Sequence, residues 1–145
     1  MAIIEEGVII RCPVESAFVY TTEAKSWPKW HGTMPEAEQT SEGQVGVGTT
    51  FRGTYHMMGQ TLEWTAESME YQPNKKWRKV ITCGSMVIDD ELVFDPAEGG
   101  TTFTTAYDVK VGGFLKLLGP MIVSSMRKQL KLDLANLKSI LEAQA

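Results

Sequence analysis

The last third of the chain carries a single long apolar stripe, and almost everything ahead of it alternates with a period of two. With Met126 as origin and about 100° per residue, Ile122, Met126, Leu130, Leu134, Leu137 and Leu141 fall on one side of a helix. Val123 lies beside them, and Lys128, Lys131 and Lys138 lie opposite, so one face of this helix is built to meet a core. The residues between Met34 and Val111 read as antiparallel strands, which leaves this helix alone to cover the concave face of a whole sheet. A sheet curled around one helix rarely fills completely, and an internal cavity is expected. The helical pattern starts near Gly112 but is interrupted: Gly119-Pro120 breaks it, because proline lacks the N–H a helix interior needs. Phe114-Leu115-Lys116-Leu117-Leu118 is apolar on several sides. Gly112 to Gly119 therefore reads as a separate short turn or lid, or else as an irregular helix start buried in the core.

The strands can be placed in register. If Met58-Gly59 forms a two-residue turn, Met57 pairs with Gln60, Tyr55 with Leu62, Gly53 with Trp64 and Phe51 with Ala66. All of these share one face, while Arg52, Thr54, His56, Thr61, Glu63 and Thr65 share the other. A turn at Gly84-Ser85 pairs Cys83 with Met86, Ile81 with Ile88, Lys79 with Asp90 and Trp77 with Leu92. A longer connection through Asp95 to Gly100 then pairs Phe94 with Thr101, Leu92 with Phe103, Asp90 with Thr105 and Ile88 with Tyr107. All three hairpins put their apolar residues on one side. Agreement between independent levels of this kind outweighs any single strand assignment. Upstream, Ile3 to Arg11 reads as a first strand and Pro13 as the start of a short helix carrying Val14, Ala17, Phe18 and Thr21. A second turn spans Glu23 to Ser26, a weak strand covers Met34 to Ser41, and Gly43 to Gly48 forms a turn.

Lys79 opposite Asp90 is the exception on the inner face. A lone buried charge is very costly, so the two are expected to pair if either is buried. They are either a polar anchor at the cavity wall, a solvent-reached pair near the sheet rim, or a sign of slipped register. Asp133 lies close to the apolar stripe and either reaches into the cavity or leans past its edge as a flanking, solvated carboxylate, the commoner arrangement, and Gln129 one turn earlier has the same two placements open. The tryptophans of Trp27-Pro28-Lys29-Trp30-His31 either close the mouth of a pocket or pack the end of the core, the commoner arrangement. His31 is a possible acid or base, because histidine is the residue type suited to that work near neutral pH, but it has no identifiable partner, and His56 falls on the outer face. Cys83 points inward as a small hydrophobe.

Composition narrows the functions. The chain has 145 residues, 43% of them hydrophobic and 22% charged, which suits one soluble domain over residues 1–145. No apolar run approaches the ~18 residues of a transmembrane helix. Met1 to Glu6 has neither the basic start nor the cleavage site of a signal peptide, so a cytoplasmic location is expected. A net charge of −4, with Lys75 to Lys79 as the densest basic run, argues against nucleic acid as partner. The two cysteines, Cys12 and Cys83, have no metal-like spacing and read as reduced thiols. No His-Glu-x-x-His or Gly-x-Ser-x-Gly occurs, and Gly46-Val47-Gly48 precedes a strand rather than the helix a dinucleotide fingerprint requires. Neither a metal nor a cofactor is expected.

Several segments resemble a known family: Arg11 to Tyr20, Trp27 to Trp30, Gly46 to Arg52, Tyr71-Gln72-Pro73 and Gly99 to Thr102. The order of strand, two short helices, about six strands and a long helix is similar to the START-like, Bet v 1-like helix-grip superfamily, including its polyketide cyclase/dehydrase and lipid-transport (SRPBCC) members. The resemblance implies an α+β fold in which a seven-stranded antiparallel sheet grips the C-terminal helix around a ligand cavity. Three functions stay open: a binder of a lipid, polyketide or aromatic metabolite, a cyclase/dehydrase-type enzyme, or an interaction module. For a hydrophobic ligand the sheet would offer Phe51, Tyr55, Trp64, Trp77, Ile88, Leu92, Phe103 and Tyr107. The helix would offer Met126, Leu130 and Leu134, and Lys79 and Asp90 would orient the ligand. No inward arginine lies near Trp64.

Overall fold

A computed structural model describes residues 2–57 and 59–144, with only the backbone of residues 2, 114 and 115. Strand β1 (Ala2–Ile10) leads through Pro13 into helix α1 (Val14–Thr22). A 3-10 turn (Ala24–Ser26) then leads into the one-turn helix α2 (Trp27–Trp30). Six strands follow: β2 (Glu36–Gln39), β3 (Thr50–Met57), β4 (Gln60–Gln72), β5 (Lys76–Cys83), β6 (Met86–Ala97) and β7 (Gly100–Val111). They form one antiparallel sheet in the order β1-β7-β6-β5-β4-β3-β2. Helix α3 (Gly119–Gln144) closes the chain and runs against the concave face. This is the helix-grip architecture, with both short helices after the first strand.

The first two hairpin registers are those expected, including Gly53 opposite Trp64 and Lys79 opposite Asp90. Met58, the first residue proposed for the β3–β4 turn, lies outside the described residues; Gly59 takes the left-handed φ of +74° that such a turn requires. The third register differs. Phe94 pairs with Phe103, Leu92 with Thr105, Asp90 with Tyr107 and Ile88 with Val109. The strands run on to Ala97 opposite Gly100, and the turn is Glu98-Gly99, with Gly99 at φ +78°. Pro96 had suggested a longer loop. It is tolerated in the strand because β6 pairs with β5 only as far as Val93, so past Phe94 one side of β6 lacks a ladder. The correction is a slip of two residues, which leaves every side chain on its expected face. Ser68 continues the inward set of Trp64 and Ala66 and accepts the indole N–H of Trp77 at 2.8 Å, and a bulge between Ser68 and Glu70 then shifts the parity of β4 so that Tyr71 pairs with Trp77.

Pro120 sits in the first turn of α3, where its missing N–H costs nothing, and the preceding Gly113–Leu118 forms a separate 3-10 segment. Leu117 is 87% exposed, so this segment is not a buried helix start. The side chains of Phe114 and Leu115 lie outside the described residues. Ile122, Leu130, Leu134, Leu137 and Leu141 are buried along the expected stripe, and Met126 is half-buried.

Candidate functional site

Two buried polar clusters interrupt the interior, one on the inner face of the sheet and one between α2 and α3. The first is the Lys79–Asp90 pair. The Lys79 ammonium donates to Asp90 Oδ2 at 2.8 Å, and the Thr105 hydroxyl donates to Oδ1 at 2.8 Å. Lys79 Nζ also lies 4.5 Å from the Trp77 ring and 5.1 Å from that of Trp27, where the aromatic faces favour a cation. Both residues are 5% exposed, so the pair is neither solvent-reached nor a product of slipped register. Trp27 is 1% exposed and packs on Phe51, Trp64 and Trp77, with ring centroids 4.9, 6.1 and 5.8 Å away. The tryptophan corner therefore builds the end of the core and seals the ion pair beneath it.

The second cluster forms where α2 ends against α3. Asp133 is 3% exposed and not solvated as expected. Its Oδ1 accepts the Gly32 backbone N–H and the Gln129 side-chain amide, each at 2.9 Å, and its Oδ2 faces His31 Nδ1 at 3.3 Å. A Cβ at residue 32 would stand 2.6 Å from Gln129 Nε2, so a larger side chain there would push the Gln129 amide off Asp133. The His31 ring stacks on Trp30, with centroids 3.7 Å apart.

A cavity of about 280 Å³ opens between α3 and the sheet. Ile81, Ile88, Ile122, Met126, Leu130 and Met57 give it apolar walls, and His31, Gln129 and Asp133 form its polar end. Tyr55 and Tyr107 line it from β3 and β7. Burial pushes both phenols well above their ordinary range, and the Asp90 and Asp133 carboxylates add to the effect, so both hydroxyls stay protonated. Met121, Ser125 and His56 are exposed members of the lining and mark its mouth.

From the expected lining set, Tyr55, Ile88, Tyr107, Met126 and Leu130 stand on the cavity wall. Phe51, Trp64, Trp77, Lys79, Asp90, Leu92, Phe103 and Leu134 are buried in the core and do not border it. The physical reason is that Trp27 and its aromatic neighbours fill one end of the concave face, and the space left open lies at the other. Among the described residues no three His, Cys, Asp or Glu side chains converge as metal ligands, and no helix is long and apolar enough to cross a membrane.

A sheet gripping one helix around a lined cavity defines the class as a helix-grip protein. The chain belongs to the polyketide cyclase / dehydrase and lipid transport family, which it matches over residues 1–142. Its fold is similar to that of TTHA0849 from Thermus thermophilus (TM-score 0.84, 18% identity, 99% of each chain covered). It is also similar to the Zhui aromatase/cyclase from a Streptomyces species (TM-score 0.79, 13% identity, 97% of this chain and 93% of that one). A third similar structure is Ara h 8.0201 (TM-score 0.74, 14% identity, 98% of each chain). No curated protein matches the sequence.

Proposed function

We propose that this protein binds a small hydrophobic molecule in the cavity between α3 and the sheet. The observation that carries the reading is the cavity itself, about 280 Å³ with apolar walls and a polar end. Ligand sites of this type are concave, mostly apolar and carry a few placed polar groups. An apolar cavity of ~150 Å³ accommodates one benzene ring, so the occupant here has the bulk of about two fused rings or a short acyl chain. The family description covers both catalysis and lipid transport, and a ligand-holding cavity serves either. Tyr55, Ile88, Tyr107, Met126 and Leu130 are the proposed ligand contacts. In this reading residues 1–145 act as one ligand-binding domain. The free, buried Cys12 and Cys83 fit the reducing cytoplasm, which is the proposed location.

Thermal shift and native mass spectrometry against a panel of lipids and small aromatics test the proposal. A ligand present at one hundred times its Kd adds about 2.7 kcal/mol. For a chain of this size that raises Tm by roughly 10 °C. No bound species and no shift across the panel would count decisively against it.

A further inference from the structure

The polar end of the cavity holds groups that the fold itself leaves unused. His31 engages Asp133 through Nδ1, and its Nε2 makes no hydrogen bond among the described residues. The hydroxyls of Tyr55 and Tyr107, on the same cavity wall, likewise hydrogen bond to no protein group among the described residues. Asp133, by contrast, is fully engaged: Gly32 and Gln129 fix its Oδ1, which aims Oδ2 at the imidazole. A carboxylate facing Nδ1 holds the proton on that nitrogen and leaves the Nε2 lone pair free as a base. A fixed base and two protonated phenols thus border one small apolar space.

We propose that this end of the cavity is a proton-transfer site acting on a small cyclic or aromatic-fused ketone, an inference that rests on the ligand-binding reading. His31 Nε2 takes a proton from the carbon next to the carbonyl. The C–H electron pair becomes the new C=C bond, and the carbonyl π pair moves to oxygen. Tyr55 and Tyr107 donate hydrogen bonds to that oxygen as its charge grows. The imidazolium trades that proton with solvent and redelivers one to the same carbon, or, where the ketone is conjugated, delivers it to the far carbon of the extended enolate. The net result is exchange or isomerisation, and no oxidant, reductant or second substrate is consumed. His31 is the catalytic base, Tyr55 and Tyr107 are the oxyanion donors, and Asp133 is a positioning residue.

The test uses 2-tetralone, a two-ring ketone matched to the cavity's volume, with naphthalene as a ligand lacking the carbonyl. Binding is followed by thermal shift and loss of the α-protons in D2O by proton NMR. The wild-type protein should bind both compounds and accelerate exchange in the ketone. His31→Gln, which keeps an amide toward Asp133, should lose about 100-fold of the protein-dependent exchange, the scale of a general base. Tyr55→Phe with Tyr107→Phe should lose about as much, the scale of an oxyanion donor. Asp133→Asn should lower kcat at an unchanged KM, which a purely structural loss would not do. Should His31→Gln fail to fold, the tyrosine variants, which remove only unpartnered oxygens, decide the matter. Binding of the ketone without exchange above buffer, or undiminished exchange in His31→Gln or the double tyrosine variant, overturns the proton-transfer site and leaves the binding reading standing. Failure of ketone and naphthalene alike to bind overturns the proton-transfer site, and the binding reading then falls only if the whole lipid and aromatic panel fails as well.

Discussion

The two base–carboxylate pairs of the interior have similar composition and opposite surroundings. Lys79 and Asp90 are roofed by Trp27 and Trp77, and Thr105 takes the remaining carboxylate oxygen. His31 and Asp133 border open volume, and Nε2 remains without a partner among the described residues. A closed pair with every oxygen engaged can hold elements together but has nothing to offer a ligand. A pair beside a cavity can do chemistry, at the cost of packing. The difference comes from Trp27, which packs on Phe51, Trp64 and Trp77 over the ion pair, whereas Tyr55 and Tyr107 at the other cluster border open volume.

The contrast is broken most directly through stability. Lys79→Met leaves the Asp90 carboxylate buried without its counter-ion and should cost about 3–5 kcal/mol in urea denaturation. Adding Asp90→Leu should restore much of the loss, because a buried pair is worth little against apolar residues of similar volume. Folded Lys79→Met protein should bind ligand as the wild type does; weakened binding would put the sealed pair back in the site. Ser68→Ala comes next. It strands the indole N–H of buried Trp77 and should lower stability by about 1–3 kcal/mol without touching the cavity.

Gly32→Ala sharpens the other half. The new Cβ displaces the far end of the flexible Gln129 side chain, so the stability change should stay within about 0.5–1 kcal/mol. The loss of one hydrogen bond on Asp133 should weaken ligand binding about fivefold in a titration. The smallest effect lies outside both clusters. Glu142 accepts from the Lys138 ammonium and the Arg11 backbone N–H, which hold its carboxyl below its ordinary value of 4.5. A lowered folded-state value means its contribution is full above pH 4.5 and fades as the pH falls through that lowered value. Glu142→Gln should lower stability slightly at neutral pH, leave it little changed at low pH, and so flatten the acid limb of a stability-versus-pH curve.

Strand parity, the α3 stripe and the break at Pro120 were legible in the residues because each obeys a local period. The Asp95–Gly100 turn was misplaced by two residues because Pro96 and Gly100 both look like loop, and only the absence of a β5 partner beyond Val93 makes that stretch a strand. The site was harder. Alternation identifies which residues face inward, and it places Tyr55, Ile88 and Tyr107 there together with Phe51, Trp77 and Leu92. It does not show where an inward face is filled, so it cannot separate the first three, which border the cavity, from the last three, which do not. His31 and Asp133 are 102 residues apart and lie on elements that meet only in the folded chain. A carboxylate beside an apolar stripe is the one available signal, and its partners on His31 and Gly32 come from a segment that no local pattern ties to α3.

The central claim is that ligand enters the space beneath Met57, Met121 and Met126, and not the sealed region around Lys79. Methionine ε-methyl NMR of the full chain reads this directly during a titration with 2-tetralone. The methyl signals of Met57, Met121 and Met126 should move, while those of Met34, Met69 and Met86, none of which lines the cavity, should stay in place. Shifts confined to Met34 or Met86, with the three cavity methionines unmoved, would contradict it.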